Sequence, residues 1–260
     1  MSSKQGAPVA AVVEVHDLTR RFGALTAVDG VSFDIAPRET FALIGPNGAG
    51  KSTVMKMLTT MLPPTSGRAT VAGYDVVRQP QDVRARIGYV PQQLSADGEL
   101  TGYENMLLSA RLYLIPAAER RARIAEALAM MDLTEAKDRR VQTYSGGMAR
   151  RLEIAQSTLH RPAVLFMDEP TVGLDPSGRR AVWRHVQTLR DQIGAAVVFT
   201  THYMDEVEEV CDRLALIHRG RLAAIGTPGD LRAREGSEAT LDDVFTDLTE
   251  TASRTGDGRK

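Results

Sequence analysis

The run Gly45-Pro46-Asn47-Gly48-Ala49-Gly50-Lys51-Ser52-Thr53 constrains this chain more than any other feature. It has the form G-x-x-x-x-G-K-[ST], follows the apolar stretch Phe41-Ala42-Leu43-Ile44 and opens a helical segment from 51 to about 61. A buried strand that ends in such a turn and returns as a helix frames an α/β domain. Gly48 and Gly50 let the backbone wrap an anion closely with its N–H groups turned inward. The positive end of the following helix favours the same anion. Lys51 can reach β- and γ-phosphates, and the Ser52 hydroxyl suits Mg2+ ligation. The run therefore predicts binding of a nucleoside triphosphate.

Strand and helix signals alternate around this loop. Val12, Val13 and Val15 open a strand, and Val31, Phe33 and Ile35 alternate as a half-buried second one. Residues 70–72 and 87–90 read as further strands, and Pro63-Pro64 closes the helix after the loop. Between Leu100 and His160 the strand signal vanishes, with Ile124, Leu128 and Met131 on one helical stripe. Strands return at 164–167, 195–200 and 214–218, and a helix with Val182, Val186, Leu189 and Ile193 on one face separates the first two. A helical block inside a buried-strand pattern predicts an α/β core with an inserted helical subdomain. Leu241, Val244, Phe245 and Leu248 follow helical spacing behind a capping Thr240, and the polar stretch 249–260 is expected to be disordered.

Composition narrows the function. The chain has 32 basic and 33 acidic residues for a net charge of −1, so no bulk basic field would hold nucleic acid. Its apolar runs fall short of the roughly 20 residues that a spanning helix needs. The run at 7–13 has only Lys4 before it and Glu14 after it, a poor secretory signal. Cys211 is the single cysteine, which excludes an internal disulfide and fits a reducing compartment. By composition the chain is expected to be soluble and cytosolic.

Two more constellations accompany the loop. The strand Val164-Leu-Phe-Met-Asp168-Glu169 delivers adjacent carboxylates at its end, Asp168 suited to a Mg2+ shell and Glu169 to polarising water. Tyr144-Ser145-Gly146-Gly147-Met148 stands just ahead of a helix to about His160, a second anion-binding N-terminus. One phosphate loop already cradles one triphosphate, so a second anion site invites a second chain.

The order of phosphate loop, Val90-Pro91-Gln92, Ser-Gly-Gly, Asp-Glu, Gly173-Leu174-Asp175-Pro176 and Thr201-His202 resembles the ATPase subunit of ATP-binding cassette (ABC) transporters, across roughly 12–231. The resemblance implies a P-loop NTPase core with a mostly parallel sheet, an N-terminal antiparallel β portion and an inserted helical subdomain that carries the ABC signature. It implies one ATPase domain over 12–235, with the helical subdomain at about 92–160 and a C-terminal helix and tail over 236–260. By resemblance ATP and Mg2+ are the cofactors. Residues Gly45 to Thr53 hold the phosphates, Phe22 stacks on adenine, and Ser52, Gln92 and Asp168 serve the metal. Gln92 also senses the attacking water and couples to the membrane partner. Glu169, His202, Gln92 and Lys51 form the catalytic set, with His202 contacting the γ-phosphate. Ser145, Gly146 and Gly147 meet the ATP of the opposite subunit, and Asp175 lies at the dimer seam. The implied partners are an integral-membrane permease and a second copy or paralogous ATPase in a head-to-tail dimer, at the cytoplasmic face of the cell membrane.

The signature departs from the common Leu-Ser-Gly-Gly-Gln at both ends, with Tyr144 and Met148. Together with Thr201-His-Tyr-Met-Asp-Glu-Val-Glu-Glu-Val-Cys-Asp-Arg213, it resembles the daunorubicin-type and nodulation-factor exporters, which implies export of a drug-like or other amphipathic substrate. An import ATPase and a soluble non-transport ABC ATPase are the alternatives. A GTPase would need Asn-Lys-x-Asp, a DNA-break protein a long coiled-coil insertion, and a ribosome factor two cassettes; this chain has none of these. His16, His160, His185 and His218 read as structural, Trp183 as core packing, and Arg20-Arg21, Arg139-Arg140, Arg150-Arg151 and Arg179-Arg180 as solvated faces.

Overall fold

The structure is a computed structural model that describes residues 10–235 together with Thr240, Leu241, Asp243, Val244 and Thr246. The chain opens with β1 (Val13–Phe22), β2 (Leu25–Ile35) and β3 (Thr40–Ile44), followed by α1 (Lys51–Leu58). Next come β4 (Ser66–Val71), β5 (Tyr74–Asp75), α2 (Pro80–Arg84) and β6 (Ile87–Val90). Three helices succeed one another without a strand: α3 (Gly102–Leu112), α4 (Ala117–Met130) and α5 (Gly146–Thr158). The remainder is β7 (Val164–Asp168), α6 (Pro176–Ile193), β8 (Ala196–Thr201), α7 (Met204–Val210), β9 (Arg213–His218), β10 (Arg221–Gly226) and α8 (Pro228–Glu235).

The strands form two sheets. An antiparallel sheet has the order β2-β1-β4-β5, and a six-stranded sheet the order β10-β9-β3-β8-β7-β6. In the second sheet all neighbours are parallel except β10, which returns antiparallel to β9. Its central strands β3, β7 and β8 are apolar except at their ends because both faces are covered. Successive side chains point to opposite faces of a strand. Thus Phe41, Leu43, Val164, Phe166, Val198 and Ile217 enter one core with the antiparallel sheet and α1. Ala42, Ile44, Leu165, Met167, Val197, Phe199 and Leu216 enter the other beneath α5 and α6. Phe33 and Phe41 stack at 5.3 Å across the two sheets.

Local chemistry explains where elements begin and end. Thr101 and Glu104 form a reciprocal capping box at the start of α3. The Ile124, Leu128 and Met131 stripe is buried, as the periodicity predicts. By contrast, α1 ends at Leu58 rather than near Met61. Thr60 adopts a left-handed φ of 64°, and the Leu62 N–H donates to the Lys56 carbonyl at 3.0 Å, so the helix closes before the two prolines. The elements β5 and α2 span only two and five residues, too few to show a period. Trp183 is buried edge-on to Phe199 at 4.5 Å. Burial pushes the Cys211 thiol up to about 12. No helix of the described residues is long and apolar enough to cross a membrane.

Behind Thr240, the described residues Leu241, Asp243, Val244 and Thr246 have helical backbone. Leu241 and Val244 are buried in the helix-side core, and the Asp243 carboxylate accepts the Thr240 backbone N–H at 2.8 Å. Phe245, Leu248 and the stretch 249–260 lie outside the described residues.

Candidate functional site

The loop between β3 and α1 is held by a backbone that tolerates only glycine at two points. Gly45 has φ 150°, and a Cβ there would collide with the Ile217 carbonyl oxygen. Gly50 has φ 112°, and its Cβ would stand 2.6 Å from the Ala27 carbonyl oxygen. Gly220, in the turn between β9 and β10, donates to the Ala49 carbonyl at 2.9 Å and so pins the loop to the sheet. Helix α1 starts without a side-chain cap and without an acid in its first turn. Its first N–H groups and the positive end of its dipole are left for an external anion.

Lys51 is buried, and its ammonium donates to the carbonyls of Gly45 at 2.7 Å and Pro46 at 3.1 Å. Burial pulls its pKa below the usual lysine value, while Glu169 and Asp168 oppose that pull. Asp168 ends β7, where its Oδ1 accepts the Ser52 hydroxyl at 3.1 Å and the Thr200 hydroxyl at 2.6 Å. Thr200 also accepts the Glu169 N–H at 2.9 Å. Glu169 itself takes a left-handed φ of 47°. Its carboxylate accepts the Gln92 amide at 3.1 Å and lies 3.7 Å from His202 Nδ1.

These residues converge from separate parts of the chain. Residues 47–53, Gln92, Glu169 and His202 line one cleft of about 580 Å³, together with Ala27 and Val172. Asp168 stands behind Ser52, and Gly45 and Pro46 lie under Lys51. Phe22 is not in the lining; it is half-exposed, with the Arg20 guanidinium 4.6 Å from its ring centre. Ser145, Gly146, Gly147 and Asp175 line a second cleft of about 370 Å³. Ser145 caps α5 by accepting the Met148 N–H, and Asp175 caps α6 by accepting the Gly178 N–H. Tyr144 donates its hydroxyl to the Ala136 carbonyl at 2.7 Å, which anchors the entry to α5.

Two features escape a reading of the residue order. Thr200 bridges both acids, and its only sequence signal is a polar pair, Thr200-Thr201, at the end of an apolar strand. Arg150 contradicts the solvated-face expectation. It is 3% exposed because Glu153 and the carbonyls of Pro91 and Gln92 satisfy its guanidinium. Among the histidines, His160 and His185 approach the carbonyls of Ile87 and Met130, each at 2.9 Å, and burial lowers both pKa values.

The profile of the ABC transporter family matches residues 28–172. The linearmycin resistance ATP-binding protein LnrL of Bacillus subtilis (strain 168) is 39% identical over 230 residues, covering 88% of this chain and 74% of that protein. The daunorubicin/doxorubicin resistance ATP-binding protein DrrA of Streptomyces peucetius is 44% identical over 225 residues, 86% of this chain and 68% of the relative. A solved ATP-binding subunit of an ABC transporter superposes with a TM-score of 0.81 at 31% identity, over 92% of this chain and 99% of that one. With the phosphate loop and Glu169 lining one cleft and Asp168 behind Ser52, these similarities show that the chain belongs to the ABC transporter family, as an ATP-binding subunit whose ATP hydrolysis is coupled to transport.

Proposed function

We propose that two copies of this chain, or one copy and a paralogue, close head to tail on two ATP molecules and drive export through a separate membrane permease. One observation carries the reading: the chain presents two separate clefts, one with the phosphate loop and Glu169, the other with Ser145–Gly147 and Asp175. Each cleft is half of a site on this reading. ATP rests on residues 45–53 of one subunit and meets Ser145, Gly146 and Gly147 of the other, with Asp175 at the seam and Phe22 against the adenine ring.

The catalytic load is positioning and charge neutralisation. Lys51 and the N-terminus of α1 bind the phosphates. Glu169 orients and polarises a water for in-line attack, Gln92 steadies that carboxylate, and His202 contacts the γ-phosphate. The water oxygen bonds to the γ-phosphorus as the bond to the bridging oxygen breaks, leaving ADP and phosphate. Ser52, Asp168 and Gln92 would hold Mg2+: hydroxyl, carboxylate and amide oxygens suit a small hard cation that also binds substrate phosphates. The 3.1 Å contact of Ser52 with Asp168 Oδ1 supports that donor set. When bound, Mg2+ neutralises charge on the β- and γ-phosphates.

The domain is taken as 12–235, with 92–160 as the helical part that faces the permease, at the cytoplasmic side of the cell membrane. The names of the relatives, resistance proteins for linearmycin and for daunorubicin and doxorubicin, support a drug-like or other amphipathic substrate. The test is Glu169→Gln. It should keep binding of a fluorescent ATP analogue, lower kcat by about 100-fold or more, and accumulate an ATP-dependent dimer in size-exclusion chromatography. Near-parental phosphate release would reject the assignment.

A further inference from the structure

Helix α5 carries a buried ion pair that the ATP sites do not use directly. Arg150 and Glu153 lie one turn apart with 3% of each side chain exposed, and Arg150 Nη1 donates to Glu153 Oε2 at 3.0 Å. The rest of both side chains faces a single stretch, residues 91–95. Arg150 donates to the carbonyls of Pro91 and Gln92, both at 2.6 Å. Glu153 Oε1 accepts the backbone N–H of Ser95 and, at 2.9 Å, the Ser95 hydroxyl.

Stability alone is a weak reason for this arrangement. A buried ion pair loses hydration that Coulomb attraction recovers only in part, and apolar residues of similar volume often serve as well. Its contacts point to a different role. Residues 91–95 belong to no helix or strand, so no sheet ladder fixes them. Arg150 holds the carbonyl of Gln92, while the Gln92 side chain reaches Glu169 at 3.1 Å. Five residues before Arg150 is Ser145, the cap of α5 in the other cleft. At about 1.5 Å rise per residue, the two sit roughly 7.5 Å apart on one rigid helix.

We propose that Arg150 and Glu153 are positioning residues that lock the Gln92 loop to the helix bearing Ser145–Gly147, so that a shift of this helix is transmitted to Gln92 and Glu169. The inference rests on the head-to-tail reading above. There, α5 touches the ATP of the opposite subunit and Gln92 serves the chain's own ATP, so the pair links the two sites within one chain. Binding at one site then sets the geometry of hydrolysis at the other.

The test is a double-mutant cycle on the purified full chain, measuring MgATP hydrolysis and binding of a fluorescent ATP analogue. Arg150→Met should lower kcat by at least about tenfold with affinity within about twofold, and should bring the Hill coefficient toward one. In a Gln92→Ala background the same substitution should change kcat by less than about twofold, because both act on one unit. Arg150→Met/Glu153→Met removes both charges together, keeps the melting temperature and carries the test should the single variant fail to fold. A folded double variant with parental kcat, or a loss that multiplies in full with Gln92→Ala, overturns the link. Glu169→Gln, run alongside, separates the two ideas. If it hydrolyses ATP normally the site assignment fails; if it is arrested while Arg150→Met is not, only the link fails.

Discussion

The hydroxyl of Thr200 donates to Asp168 Oδ1 at 2.6 Å and accepts the Glu169 backbone N–H at 2.9 Å, so one buried side chain holds both acids of the candidate site. Glu169 needs that hold. Its φ of 47° is a left-handed conformation that costs a non-glycine residue roughly 1–2 kcal/mol.

Thr200→Val keeps the shape and removes both bonds. A buried group left without its partner costs about 1–3 kcal/mol. For a chain of this size each kcal/mol lowers Tm by about 2–4 °C. Differential scanning fluorimetry should therefore show a drop of several degrees, and the hydrolysis rate should fall further than ATP binding. An unchanged melting curve would mean that Thr200 does not organise the acids.

Lys51→Ala tests the phosphate cradle. Charge-assisted hydrogen bonds contribute about 1.5–3 kcal/mol, so affinity for ATP should weaken by roughly 10- to 100-fold. A titration with a fluorescent analogue measures this, and equal affinity would contradict the proposed role. The variant also leaves the Gly45 and Pro46 carbonyls without the ammonium that they now share.

Glu206 offers a pH-dependent signature. It is buried and accepts the hydroxyls of Thr171 and of Thr201, the latter at 3.0 Å. Burial raises its pKa above the ordinary glutamate value of 4.5, against the lowering effect of these bonds. The folded chain thus binds this proton more tightly than the unfolded chain, and its contribution is lost as pH rises from 4.5 through the raised value. Glu206→Gln lacks that loss. The difference in Tm, variant minus parent, should grow more positive as pH rises across that window; a flat or falling difference would contradict the burial effect.

Truncation after Ser237 removes Leu241 and Val244, both buried in the helix-side core. Burial of such side chains contributes about 1.5–3 kcal/mol each. The truncated chain should melt several degrees lower while retaining ATP binding, because neither residue lines the phosphate-loop cleft. An identical melting temperature would show that the segment has no structural role.

Residue order alone dictates whatever depends on neighbours in the chain. The glycine-rich loop, its strand and its helix are contiguous, so spacing reveals Lys51 and Ser52 in their places. The cap of α5 is local too: Ser145 and the Met148 N–H are three residues apart. Unbroken apolar runs in β3, β7 and β8 likewise mark both faces of the central sheet as buried.

Folding decides what distant residues do to one another. Gln92 and Glu169 are 77 positions apart, and only the parallel register of β6 with β7 delivers them side by side. Arg150 reads as a surface cation because arginine is costly to bury without partners. It is buried here because two carbonyls 58 and 59 positions away and one nearby carboxylate meet its guanidinium. A sequence displays a charge; whether that charge faces water or three acceptors is settled by packing in three dimensions.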